Sequence, residues 1–275
     1  MSSTMLGYIQ KDSPIHRLTG ATKLICLLLY SLAVMLTYDT RVLFGLLIFG
    51  LICFKISNIQ FKDISFVVYF ILAFLMLNNL AIFIFSPYEG CEIYGRTTVL
   101  FHIVGPYSVT IEQLFYLLNV TLKYFAVIPI ALLFIIATQP SEFAASLNRI
   151  GVSYRLAYSV AIALRYIPDI QRDYQEISFA QQARGLDLSK NEKLLKRIKN
   201  MSSILLPLIF TSLERIETIS RAMELRSFGM EKKRTWYSAK PFKIQDYVAI
   251  GIVIILMLTS FYMTTVNGSR FYNPF

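Results

Sequence analysis

The chain has 275 residues, of which 55% are hydrophobic and only 16% charged, with a mean hydropathy of +0.54. Ordinary globular chains run at about 45–50% apolar and about 25% charged, so the composition excludes disorder and argues against a soluble fold. The formal net charge is still +10, from 27 Lys+Arg against 17 Asp+Glu, which points to a membrane protein with a positive cytoplasmic face ahead of a nucleic-acid binder.

The chain opens on a polar segment with Asp12, Pro14, His16 and Arg17, where a secretory signal would carry a short basic stretch and a cleavage site. A bilayer-crossing helix needs about 17–25 mostly apolar residues. The first candidate is Leu24–Tyr38, long enough with Ala21 and Thr22. Asp39 and Arg41 mark a tight turn, and Val42–Phe54 is a second, shorter run closed by Lys55. Phe66–Phe85 is the third, with Asn78 and Asn79 expected to face other helices and not lipid. Residues 86–110 read as a loop rich in Pro and Gly. Leu114–Ala137 is the fourth span, with Pro129 and a lysine, Lys123, that needs a partner or an exit to the interface. Tyr247–Met263 is the fifth span, before a short polar-aromatic tail.

The expected fold is therefore an all-α integral membrane protein of about five spans. Its parts are an amino-terminal membrane region (1–138), a cytoplasmic helical domain (139–245), and a last span with its tail (246–275). Lys11, Arg17 and Lys23 before the first span, and Lys55 and Lys62 after the second, place those ends in the cytoplasm. Five spans put 139–245 on the same side. That segment holds 18 Lys+Arg against 10 Asp+Glu, a net of +8, and so most of the excess charge.

Within it, Leu156, Val160, Leu164, Ile167, Ile170, Tyr174, Ile177 and Gln181 recur at helical spacing. They predict a helix over 154–184, interrupted by Pro168 and closed at Gly185. At about 1.5 Å per residue it is roughly 46 Å long. A second helix is predicted over 194–226 from Ile198, Leu205, Ile209, Leu213, Ile216, Ile219 and Met223, with Pro207 inside. Its first turns are basic: Lys193, Lys196, Arg197 and Lys199. Both helices end on an arginine beside a small residue, in Ala183-Arg184-Gly185 and Leu225-Arg226-Ser227. The plain role of such an arginine is to favour the helix carboxyl-terminal dipole. The duplication suggests paired docking, in which a guanidinium offers up to five donors to a carboxylate.

At these residues the chain resembles the transmembrane T component of energy-coupling factor (ECF) transporters, prokaryotic importers of vitamins and metal ions. The family is marked by two Ala-Arg-Gly-like triplets ending long coupling helices. Ala183-Arg184-Gly185 matches in full, while Leu225-Arg226-Ser227 keeps the arginine and departs on either side of it. Also similar are the stretch from Asp12 to Leu18, Lys23, Pro140-Ser141-Glu142, the stretch from Leu147 to Gly151, the stretch from Ala163 to Pro168, and Ala222-Met223-Glu224.

The resemblance implies a subunit that joins two cytoplasmic ATPases to a small substrate-binding membrane protein, the S component. It assigns Ala183, Arg184, Gly185, Leu225, Arg226 and Ser227 to ATPase grooves. It implies that ATP and Mg reside on the ATPases, with no cofactor bound by this chain. Apolar residues Leu164, Ile167, Ile170, Leu205, Ile209 and Leu213 are expected to pack against one another and against the S component. No G-x-x-x-x-G-K-[ST] phosphate loop is present in the sequence. Cys26, Cys53 and Cys91 have no metal-ligand spacing. The competing readings are a membrane enzyme acting on lipid, and a scaffold whose basic segment lies on anionic headgroups.

Overall fold

The computed structural model describes residues 11–275 except 60, 105–106, 187–193, 232–234 and 238. The elements in order are α1 (Pro14–Arg17), α2 (Gly20–Leu36), α3 (Thr40–Ile56), α4 (Phe61–Phe85), α5 (Glu89–Tyr94), β1 (Val99–Val104), β2 (Tyr107–Thr110), α6 (Ile111–Ala137), α7 (Pro140–Arg149), α8 (Tyr154–Ala183), α9 (Leu194–Leu225) and α10 (Ile244–Val266). The chain divides into two units. One is Met1–Gln139 with Lys240–Phe275, and the other is Pro140–Ala239.

In the first unit, α4 from Ser65, α6 and α10 are long and apolar enough to cross a bilayer. The apolar helices α2 and α3 are each 17 residues, at the lower end of the spanning range. The chain is thus an all-α membrane protein. Helix α6 is central and packs against α2, α3, α4 and α5, while α10 lies mainly on α2.

Polar contacts fix these neighbours. Thr19 caps α2, and its backbone N–H also donates to Asp246 Oδ1 of α10 at 2.9 Å. Fourteen residues further along both helices, Ser260 Oγ donates to the Ala33 carbonyl at 3.0 Å. Equal steps on both helices mean that α2 and α10 run parallel. Against α6 the first helix runs antiparallel, and each carries a lysine to the other's end. Lys23 Nζ donates to the carbonyl of Ala137, the last residue of α6, at 2.7 Å and to that of His16 at 3.2 Å. Lys123 Nζ of α6 donates to the Met35 carbonyl in the last turn of α2 at 2.9 Å and stands 3.6 Å from the Tyr38 ring centroid. The last carbonyls of a helix lack intrahelical donors and carry its negative dipole end. Each buried ammonium thereby meets what it lost on leaving water.

One core cluster is Tyr30, Val34, Leu43, Leu46, Ala126 and Val253, and a second is Ile59, Ile64, Leu132 and Ile136. Tyr30 hydroxyl donates to the Leu46 carbonyl at 2.6 Å and lies 3.2 Å from the Ala126 carbonyl, joining α2 to α3 and α6. Gly50 permits this approach, since a Cβ there would lie 3.3 Å from Tyr30 Oη and 3.4 Å from the Ala126 oxygen. On α4, Asn79 Nδ2 donates to Thr121 Oγ1 of α6 at 2.9 Å, as expected for an amide turned from lipid.

The expected loop at 86–110 is an ordered cap containing α5 and an antiparallel β1–β2 hairpin. Its order comes from the start of α6. Glu112 accepts from the Thr98 N–H through both carboxylate oxygens, at 3.1 and 3.0 Å. Gln113 accepts from the Gly90 N–H at 2.7 Å and donates to the Ser86 carbonyl at 3.1 Å. Gly90 touches backbone so closely that a Cβ would fall 2.5 Å from the Glu112 carbonyl oxygen. The tail folds back over the same end. Tyr38 N–H donates to the Arg270 carbonyl, Asn267 Nδ2 donates to Asp39 Oδ2 at 2.6 Å, and Phe271 and Phe275 pack edge-on against Tyr94.

Two outcomes are expected. Gly50→Leu lowers stability in detergent by roughly 1–3 kcal/mol through overpacking. Gly45→Leu, on the same helix with open space around it, does not, as thermal unfolding of the pair will show. The second concerns Asp39. Burial pushes its carboxyl up, but hydrogen bonds from Arg41 and Asn267 outweigh this and hold it below the usual carboxylate range. A depressed folded value gives stability that is present above the unfolded pKa of about 3.9 and lost as pH falls through the folded one. Protection from hydrogen exchange at 267–273, taken relative to the intrinsic rate at each pH, should therefore fall on acidification below about pH 4. Asp39→Asn should show fast exchange already at neutral pH.

Candidate functional site

The second unit is built on α7, α8 and α9. Ser153 caps α8, accepting from the Leu156 N–H at 3.4 Å, after a turn in which Gly151 adopts φ +108°. Trp236 Nε1 donates to Asn148 Oδ1 of α7 at 3.1 Å. Its ring joins Tyr154, Tyr158 and Phe228 in an aromatic cluster with centroid spacings from 4.7 to 6.1 Å. This cluster ties the segment after α9 to the beginning of α8. The sequence gives little sign of it, since Tyr154 and Tyr158 in the first turns of α8 are about 70 residues or more from Phe228 and Trp236 beyond α9.

Three contacts set the relation of α8 to α9. Arg155 Nη2 donates to the Gly229 carbonyl at 2.9 Å, Arg215 Nη2 stands 2.8 Å from Asp173 Oδ2, and Gln181 Nε2 reaches the Ser203 carbonyl at 3.4 Å. As residue number rises on α8 it falls on α9, so the helices form an antiparallel hairpin. Their carboxyl-terminal ends consequently lie at opposite ends of it. Arg226 is at the end that holds Tyr158, and Arg184 is 26 residues further along α8, about 40 Å at 1.5 Å per residue.

Both arginines sit in the same backbone motif. After α8, the Leu186 N–H donates to the Gln181 carbonyl and the Gly185 N–H to that of Gln182. After α9, the Phe228 N–H donates to the Met223 carbonyl and the Ser227 N–H to that of Glu224. Each is the paired 6→1 and 5→2 closure of a helix whose next residue is left-handed. That residue is Gly185 at φ +87° in one and Ser227 at φ +55° in the other. The second triplet thus departs in sequence while holding the left-handed geometry of the first. Open space surrounds the position of a Cβ on Gly185, so its own chain does not demand a glycine by packing. Ala183, Arg184, Gly185, Arg226 and Ser227 are exposed, and Leu225 is 89% exposed, a leucine held out beside the arginine.

The apolar stripes also lie open. Leu164 is half-buried, while Ile167, Ile170, Leu205, Ile209 and Leu213 are between 40% and 54% exposed. This exposure leaves area on both stripes beyond what the hairpin itself covers. Polar contacts across the hairpin include Asp173 with Arg215 and Gln181 with the Ser203 carbonyl, and Ser178 and Ile204 are buried. The basic run Lys193, Lys196, Arg197 and Lys199 lies outside the residues whose side chains the structure describes. Among the described residues, no three His, Cys, Asp or Glu side chains gather in a way that would hold a metal ion.

The chain thus combines a membrane unit with a long helical hairpin that carries an arginine at each extremity. Over residues 11–237 the sequence matches the CbiQ family, described as cobalt transport protein, and the chain belongs to that family, the transmembrane component of ECF transporters. It is similar to the energy-coupling factor transporter transmembrane protein EcfT of Leuconostoc gelidum, with 28% identity covering 94% of this chain and 97% of that protein. The EcfT proteins of Staphylococcus aureus and Bacillus subtilis are 25% and 26% identical, covering 92% and 96% of this chain and 94% and 99% of theirs.

The left-handed serine yields a prediction. Such a conformation costs a non-glycine residue roughly 1–2 kcal/mol. Ser227→Gly should therefore slow hydrogen exchange at 226–228, and Ser227→Val, β-branched at positive φ, should accelerate it. The rest of the chain should be unaffected.

Proposed function

We propose that this chain is the non-catalytic coupling subunit of an ECF importer, lying between two ATPases and a substrate-binding S component. The observation that carries this reading is the pair of matched helix ends, each presenting an exposed arginine, at opposite extremities of one hairpin. Each guanidinium enters a groove on one ATPase and pairs there with acidic side chains. The left-handed residue after it turns the chain sharply aside, so the groove wall closes on Ala183 and Gly185, or on Leu225 and Ser227.

In this arrangement α7–α9 and the amino terminus are cytoplasmic, as the distribution of Lys and Arg favours. ATP and Mg reside on the partner subunits. The exposed stripes Leu164, Ile167 and Ile170, and Leu205, Ile209 and Leu213, cover the S component. A hairpin held at both extremities has to follow any relative movement of the two ATPases. It passes that movement to the S component through its open apolar faces. The cargo is a vitamin, a vitamin precursor or a metal ion, selected by the S component.

The test is co-purification from cells expressing all subunits. Arg184→Glu with Arg226→Glu should lose both ATPases and abolish uptake. Each single reversal should retain one ATPase at about half the ordinary stoichiometry. Normal assembly and uptake in the double variant would overturn the assignment.

A further inference from the structure

The ion pair Asp173–Arg215 has no part in the docking just described, yet its position is particular. Asp173 lies 11 residues before Arg184, and Arg215 lies 11 residues before Arg226. The pair is thus about 16 Å along its own helix from each docking arginine. Arg215 Nη2 stands 2.8 Å from Asp173 Oδ2, with side chains 32% and 21% exposed. That carboxylate oxygen is itself buried without an aligned hydrogen bond, so the contact is charge against charge. Tyr166 lies alongside, its ring centroid 5.9 Å from Arg215 Cζ. Two other ion pairs of this unit, Asp169–Arg172 and Glu217–Arg221, each stay within one helix and are more exposed. Such surface pairs contribute little.

What a pair across two helices can supply is register. The surrounding stripes are apolar and repeat every three or four residues. A slip of α8 against α9 by one turn, about 5.4 Å, exchanges one aliphatic neighbour for another at small cost. It cannot preserve the charge pair: Thr211, Ser212, Thr218 and Ile219, the residues one turn from Arg215 on α9, are uncharged, so Asp173 is left without a cation even though Arg215 then comes level with Asp169 or Glu176 of α8. A slip therefore leaves the carboxylate of Asp173 uncompensated, and setting register is the best-attested use of buried polar contacts between helices.

We infer that Asp173 and Arg215 are positioning residues that lock the register of the α8–α9 hairpin and thereby fix the span between the two docking arginines. The pair acts as the fulcrum of the lever, equidistant from its two loads. This deepens the coupling reading and depends on it. With the pair broken, Arg184 and Arg226 still dock, but ATPase movement is partly absorbed by sliding inside the hairpin.

The experiment uses the whole complex in proteoliposomes, with uptake and ATP hydrolysis measured on the same preparation. Asp173→Asn and Arg215→Gln should each keep both ATPases bound and hydrolysis near its ordinary rate, while uptake per ATP falls about fivefold or more. The exchanged variant, Asp173→Arg with Arg215→Asp, should restore the ratio; the readout that separates positioning from mere stability is uptake per ATP in single variants that assemble and hydrolyse normally. Unchanged uptake per ATP in the single variants overturns the proposal, as does failure of the exchanged variant to recover. Should a single variant fail to assemble, recovery of assembly by the exchange supports the pair, and its absence defeats it. Failure of the docking reading is seen separately, through the retained assembly of the Arg184→Glu, Arg226→Glu variant.

Discussion

A charge taken out of water into an apolar medium must find a partner on arrival, and in this protein two lysines find theirs at the ends of helices. Lys23 and Lys123 are both buried, and each donates to the closing carbonyls of the helix opposite. The partners include dipole ends and, for Lys123, the ring of Tyr38. Because the two helices are antiparallel, the pair of contacts fixes both ends of their overlap. With α2 and α6 held in this way, the hydroxyl of Tyr30 reaches α3, the amide of Asn79 reaches Thr121, and the carboxyl-terminal end of α6 is defined where the chain leaves the first unit for α7.

The membrane spans were legible because hydropathy depends on composition, and composition is local. So was the need of Lys123 and Asn79 for partners. The partners themselves were not, since nothing near Lys123 in sequence points to Met35. The segment 86–110 read as a loop for the same reason. Its order is supplied by Glu112 and Gln113, which look like the ordinary polar start of a helix. Their side chains reach back to Thr98, Gly90 and Ser86 only once the fold has formed. Likewise, Asp246 reads as a first-turn acid on α10, and the structure gives it a second function as the acceptor for Thr19.

In the candidate site the arginines were legible and their relation was not. The short connection between α8 and α9 was the available signal. Two long helices so joined fold back on each other, and antiparallel helices put their carboxyl-terminal ends apart. The left-handed Ser227 gave no signal at all, because the local preference of serine runs against it. The geometry of the second triplet follows from closure of the helix, with the identity of its third residue secondary.

The parallel seam between the first span and the last has a consequence for how the molecule is made. Thr19 and Asp246, like Ala33 and Ser260, are separated by 227 residues. During synthesis α2 therefore enters the bilayer with one flank unmatched. It stays so while three further spans and the entire helical hairpin are translated. The seam has low cost in a bilayer, where Ala33 and its neighbours lose little by facing lipid in the interval. The carboxyl-terminal helix is then the closing piece of the membrane unit. A chain interrupted anywhere before Ile244 would leave the Thr19 N–H without its carboxylate, so the first span is completed only by the last.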